Sequence, residues 1–95
     1  MERNSFVYIL TNVSKTVLYI GVTSNLRQRA EQHKEMKIPG FTHKYNVTKL
    51  IYYEVFPTIL DAIRREKQLK GWRRSKKVEL IALVNASWDE VDVPN

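Results

Sequence analysis

At 95 residues the chain has room for one small domain and little beyond it, and a domain of that size buries only about 60–65% of its unfolded surface, so its core must be compact. The lack of cysteine excludes a disulfide framework, thiol catalysis and cysteine-ligated zinc, and it suits a reducing, cytoplasmic compartment. Sixteen Lys and Arg against ten Asp and Glu leave a net charge of +6, which directs attention to where the cations cluster.

The opening MERNSFVYIL has neither the basic start nor the long apolar run of a signal peptide, and no apolar stretch approaches the roughly 18 residues of a membrane span. The chain is therefore expected to be soluble, with no membrane partner. FVYIL (6–10) and VLYIG (17–21) are short runs of β-formers separated by the turn-forming TNVSKT, which predicts a hairpin. With a symmetric turn, Tyr8 and Tyr19 lie opposite each other on one face. Gly21 ends the second strand. It is either a simple strand-ending residue or a point where backbone must approach a ligand more closely than a Cβ allows.

Asn25 is the predicted N-cap of a helix running to about Met36, with Gln28 at capping-box spacing. Arg29 and His33, four residues apart, project from one face of it, close to the end of the Tyr19 strand. An arginine there can hold a phosphate through two parallel hydrogen bonds and stays charged at any working pH. KIPGFTHKYN (37–46), punctuated by Pro39 and Gly40, reads as a loop carrying His43, Tyr45 and Asn46. TKLIYYEVF (48–56), nearly all β-formers, is the third strand.

Pro57 and Thr58 open the next helix, which ends near Gly71. Its apolar stripe reads Ile59, Ala62, Ile63, and the next position on that face is Glu66. A carboxylate on a core-facing stripe must be paired or must coordinate a metal. Two readings follow: a buried salt bridge to one of the arginines, or a lone ligand for a hard divalent ion such as Mg²⁺, which takes one or two carboxylates and keeps several waters.

Half of the basic residues fall in RREKQLKGWRRSKK (64–77): Arg64, Arg65, Lys67, Lys70, Arg73, Arg74, Lys76 and Lys77. Such a run is either a solvated helix face or the footprint of a polyanion, because each phosphate neutralised releases condensed counterions. Trp72 within it is a core anchor at a helix end or a stacking surface for a base. Ser75 is the predicted cap of a last helix, KKVELIALVN, which ends at Asn85. The acidic tail ASWDEVDVPN is expected to pack through Trp88 and then fray. The order β-β-α-β-α-α predicts an α+β fold, a three-stranded antiparallel sheet flanked by helices. It forms one domain over 1–95, with its core at about 5–85 and the acidic tail at 86–95.

These residues make a set able to hydrolyse a phosphodiester. A metal at Glu66 would polarise the phosphate and stabilise the leaving oxygen, Arg29 would balance charge building on the non-bridging oxygens, and His33 or a tyrosine would activate water. A tyrosine serves only if cationic neighbours and the metal lower its pKa, since about one in a thousand is phenolate at pH 7.

VYI at 7–9 and YIG at 19–21 resemble the two halves of the GIY-YIG nuclease signature. The arginine eight residues after the YIG glycine is Arg29, LRQRAEQHK is similar to the family's helix, and the glutamate of the following helix is Glu66 in AIRREKQLKGW. The resemblance covers about residues 5–85. It is strongest to the small stand-alone bacterial and archaeal members, through GFTHKYNVTKLIYYE and REKQLKGWRRSKK, with the N-terminal nuclease domain of the excinuclease C subunit as a relative. It implies a three-stranded sheet flanked by helices and Mg²⁺- or Mn²⁺-dependent cleavage of DNA with one ion. It also implies Tyr8 or Tyr19 as activator or positioner of water, Arg29 on the scissile phosphate and Glu66 as metal ligand. His33 matches a histidine of some branches, and Asn85 matches the family's C-terminal asparagine at a longer spacing. Phe6 and Val7 replace the first glycine and isoleucine of the signature, and Val22 stands where the excinuclease domain has a lysine.

The expected function is thus a divalent-metal-dependent DNA endonuclease, structure-directed and linked to DNA repair or recombination, acting as a monomer or weak dimer with a protein partner for targeting. RNA offers the same phosphates. The alternative is a non-catalytic nucleic-acid-binding module acting with a partner. His43 and Tyr45 are accessory candidates in either case.

Overall fold

The central strand β1, Ser5–Thr11, is a nearly continuous buried run, the pattern of a strand covered on both faces. In a computed structural model describing residues 3–93, it pairs antiparallel with β2, Leu18–Thr23, on one side and β3, Lys49–Phe56, on the other, giving the order β2-β1-β3. Alternation along β1 divides the core. Val7 and Ile9 face Ile20, Ala62, Leu69 and Ile81, while Tyr8 and Leu10 face Leu26, Val47 and Leu50. Helix α1, Leu26–Lys34, covers the second face; α3, Ile59–Lys70, and α4, Arg74–Asn85, cover the first. A short helix α2, Phe41–Lys44, precedes β3. The α+β class and the three-stranded antiparallel sheet flanked by helices are as expected from the sequence.

The helix starts follow local chemistry. The Asn25 side chain accepts a hydrogen bond from the Gln28 amide, and Thr58 accepts one from Asp61, each satisfying a donor that a helix N-terminus leaves open. Helix α1 stops at Lys34, two residues before the expected Met36, because Met36 turns into the left-handed region at φ 57°. Helix α4 begins at Arg74 with Arg73 as its cap, so Ser75 lies inside the first turn and caps nothing.

Three other expectations need correction. The segment read as a loop over 37–46 contains α2, entered through Gly40 at φ 106°. The hairpin register is offset by two residues: Tyr8 pairs with Gly21 and Tyr19 with Leu10, so the two tyrosines share a face diagonally instead of facing each other. The cause is Asn12, whose side-chain oxygen accepts from the amides of Thr16 and Val17 and closes the turn one residue further along both strands, leaving Thr11 in β1 and Val17 in the turn. Finally, the acidic tail does not fray after Trp88. Val91 donates its amide to the Leu50 carbonyl, Val91 and Val93 pack on the second core, and Lys34 pairs with Glu90 at 3.0 Å. Pro94 and Asn95, like Met1 and Glu2, lie outside the described residues. No helix among the described residues is long and apolar enough to cross a membrane.

Candidate active site

Tyr8 enters from the middle of β1, and its ring crosses the neighbouring strand above Gly21. A Cβ on Gly21 would collide with Cζ and Oη of Tyr8 and lie 2.9 Å from Cε1. The close approach that this glycine permits is therefore made by a tyrosine of the same chain. From there the Tyr8 hydroxyl lies 3.2 Å from Nε2 of His33, which is 2% exposed at the end of α1. The other ring nitrogen, Nδ1, lies 3.1 Å from Oγ1 of Thr42, a buried residue of α2.

Arg29, one turn earlier on α1, lies close enough for its charge to act on the Tyr8 phenol. Burial, with the charge of Tyr19 adding to it, nevertheless raises the Tyr8 pKa well above the ordinary tyrosine value; Arg29 opposes the rise and Glu66 adds to it. Burial and then the positive charge of Arg29 lower His33 to about 4, so its imidazole is neutral at pH 7. Each hydroxyl–nitrogen contact of His33 can run in either direction, so the two bonds accommodate either tautomer of the neutral ring.

Tyr19 sits diagonally from Tyr8, with ring centroids 6.3 Å apart, and 5.7 Å from the ring of His33. Glu66 approaches from α3, between the buried Ala62 and Leu69, and its charge is felt at Tyr8. Ile59, placed on the buried stripe by its spacing, is exposed instead. The Glu66 side chain is 16% exposed, and its ion-pair partner is the exposed Lys70 at 3.6 Å, a contact worth little. The buried arginine partnership considered for Glu66 belongs to Glu54, which Arg65 grips through Nε at 2.8 Å and Nη2 at 3.0 Å while Tyr52 donates to the same carboxylate.

A carboxylate at the edge of the core whose ion pair is an exposed lysine suits a hard ion that keeps most of its waters. No group of three or more His, Cys, Asp or Glu able to hold a metal occurs among the described residues, and both nitrogens of His33 are engaged, which speaks against a tetrahedral zinc site. Tyr8, Tyr19 and His33 are thus in mutual contact from β1, β2 and α1, and the charges of Arg29 from α1 and Glu66 from α3 are felt at the Tyr8 phenol.

The remaining candidates divide. Tyr45 lies at the rim through its contact with Phe41, and His43 is exposed on the same short helix. Asn85 is not part of the cluster: its amide donates to the carbonyls of Ile51 and Asp89 and its oxygen accepts from the Asp89 amide, so it ties the tail to β3. In the basic run, Lys70 and Lys77 line an open groove of about 260 Å³ with Leu18, Tyr19, Ile20 and Phe41. Arg65 is spent on Glu54 and, with Lys76, on the ring of Trp72, which packs against the first core. Arg64 leans on Asp61 and Arg74 on the Lys15 carbonyl, whereas Lys67 and Arg73 are exposed. Thr42 and Phe41 have no signal in the sequence beyond Gly40 ahead of them, because a one-turn helix shows no periodicity.

The model of the GIY-YIG catalytic domain matches residues 4–79. A UPF0213 protein of Syntrophus aciditrophicus is 34% identical over 85% of this chain and 92% of its own length, and one of Staphylococcus aureus is 33% identical over 80% and 92%. The solution NMR structure of the UPF0213 protein BH0048 from Bacillus halodurans aligns with a TM-score of 0.58 at 28% identity, covering 92% of each chain.

Proposed function

Because the chain belongs to the GIY-YIG catalytic domain family, among its UPF0213 members, we propose that it is a divalent-metal-dependent endonuclease that hydrolyses a phosphodiester of DNA, acting at flexible or irregular structures. The observation that carries this reading is the convergence on one hydroxyl: His33 at 3.2 Å from Tyr8, with Arg29 and Glu66 both acting on the same phenol.

Glu66 would hold a Mg²⁺ or Mn²⁺ ion, which supplies charge neutralisation at the phosphate and the leaving oxygen. Arg29 binds a non-bridging oxygen and stabilises the charge that builds there. Tyr8 orients the attacking water. As the water oxygen bonds to phosphorus, its proton passes to the Tyr8 oxygen while the Tyr8 proton moves to Nε2 of His33. The bond to the leaving oxygen breaks, and that oxygen takes a proton from solvent. Burial, and then the charge of Arg29, make His33 a weak base in the free protein. A bound phosphate offsets that cation and makes the imidazole more basic when the proton must be taken. Tyr19, beside the same histidine, positions the phosphate. Lys70 and Lys77 bind the flanking backbone, fixing register with little sequence choice.

The test is nicking of supercoiled, branched and single-stranded DNA with Mg²⁺ or Mn²⁺, comparing wild type with Glu66→Ala, Tyr8→Phe and Arg29→Ala. Metal-dependent cleavage lost in all three is expected. Tight binding with no cleavage on any substrate would instead favour a binding module acting with a protein partner.

A further inference from the structure

A continuous run of aromatic rings leads from the buried tyrosine to solvent. The Tyr8 ring lies 5.8 Å from His33, His33 5.7 Å from Tyr19, Tyr19 6.0 Å from Phe41 in a stacked arrangement with 26° between planes, and Phe41 4.8 Å from Tyr45. The outer two rings are out of place for a small domain with little core to spare. Phe41 is 46% exposed and Tyr45 43%, and neither belongs to a core cluster. Nothing among the described residues covers them.

We propose that the exposed faces of Phe41 and Tyr45 are a stacking platform for one unpaired nucleobase, next to the phosphate that Tyr19 and Arg29 hold. The proposal rests on the nucleic-acid reading of the same site and adds the residues that fix the strand's register. The surroundings match a nucleotide strand better than a protein surface. Phe41 and Tyr19 line one groove with Lys70 and Lys77, and Lys44 lies 5.4 Å from the Tyr45 ring centroid. Aromatic faces with cations at their rim suit a chain that carries a flat apolar base on one side and a phosphate on the other. In a duplex both faces of a base are already covered by its neighbours, so the platform receives a base that is unpaired or has been turned out of the stack.

The platform is tested without cleavage, in EDTA, with single-stranded DNA oligonucleotides in which 2-aminopurine replaces one base at each position in turn. Stacking quenches this fluorophore. Wild type is expected to quench it at one or two adjacent positions. Phe41→Leu, which keeps an apolar contact with Tyr19 but offers no ring, is expected to lose that quenching and to bind about 5- to 150-fold more weakly, the worth of one stacked base. Phe41→Trp is expected to keep it. Equal quenching in Phe41→Leu and in the double variant Phe41→Leu/Tyr45→Leu, or no position quenched by wild type, overturns the platform. Position-specific quenching that depends on Phe41, followed by no cleavage when Mg²⁺ or Mn²⁺ is added, leaves the platform standing and removes the endonuclease.

Discussion

The ring of Tyr8 lies on the backbone of Gly21, its direct partner across the β1–β2 ladder, where any Cβ would overlap Cζ and Oη. The atoms in conflict belong to the end of a buried ring that is itself hydrogen-bonded to His33, so the ring cannot swing aside without breaking that bond. Gly21→Ala is expected to cost about 1–3 kcal/mol of stability by overpacking and to abolish metal-dependent nicking. Thermal unfolding and the plasmid assay measure the two effects. An alanine variant that is folded, as stable as wild type and fully active would show that the Tyr8–His33 geometry is dispensable.

His33 makes stability depend on pH in a defined window. Its folded pKa, about 4, lies below the unfolded value of 6.5, so between the two the unfolded chain binds more protons. Stability therefore rises with pH across that interval. The contribution of the neutral buried ring is fully present above pH 6.5 and is lost as the pH falls towards 4. A shift of this size corresponds to roughly 3 kcal/mol. Urea melts at pH 7 and pH 4.5 are expected to differ by an amount that shrinks in His33→Gln. The same pH dependence in that variant would assign the effect to the carboxylates instead.

Strands and helices were legible because their signals are local: alternation along β1 and β2, the caps Asn25 and Thr58, and the β-formers of β3. The gathering of Tyr8, Arg29, His33 and Glu66 was legible only as an ordered set of residue types, and their distances were not. What escaped depends on side-chain bonds that carry no periodicity. Asn12 moved the hairpin register, a one-turn helix hid Thr42 and Phe41, and nothing in a run of eight cations tells which faces Glu54 and which faces Tyr19. Asn85 was a candidate only through its match to the family's C-terminal asparagine at a longer spacing, and here it ties down the tail.

That division of the basic run can be measured. The bidentate Arg65–Glu54 pair is mostly buried, with burial raising the Glu54 pKa but the hydrogen bonds from Arg65 and Tyr52 and the charge of Arg65 lowering it further, to a net depression. Arg65→Ala is expected to lower stability by about 1–3 kcal/mol, because a partly buried carboxylate loses its donor, and to leave the salt dependence of DNA binding unchanged. Lys77→Ala is expected to do the opposite. It should preserve the melting temperature and reduce the slope of log K against log salt by about 1. Equal slopes for the two variants would show that Lys77 does not touch phosphate.

Thr42 is the residue by which α2 acts on the chemistry. Its hydroxyl lies 3.1 Å from Nδ1 of His33, on the far side of the ring from Tyr8. The proposed relay needs the imidazole proton on Nδ1, where the Thr42 oxygen can accept it, so that Nε2 is free to receive the proton of Tyr8. Thr42→Val keeps the shape, removes the hydroxyl and leaves a buried ring nitrogen without a partner, at a cost of about 1–3 kcal/mol. A domain of this size loses about 4–8 °C in melting temperature for each kcal/mol. The nicking rate is expected to fall at unchanged DNA affinity, since the imidazole then samples the tautomer with a protonated Nε2, which cannot accept. Nitrogen NMR of His33 reads that redistribution directly, and Thr42→Ser is expected to restore both rate and tautomer. If Thr42→Val keeps the wild-type tautomer and loses the rate anyway, the hydroxyl serves α2 and not the proton on His33. If it keeps both, the proton of Tyr8 leaves by a route that does not need Nε2.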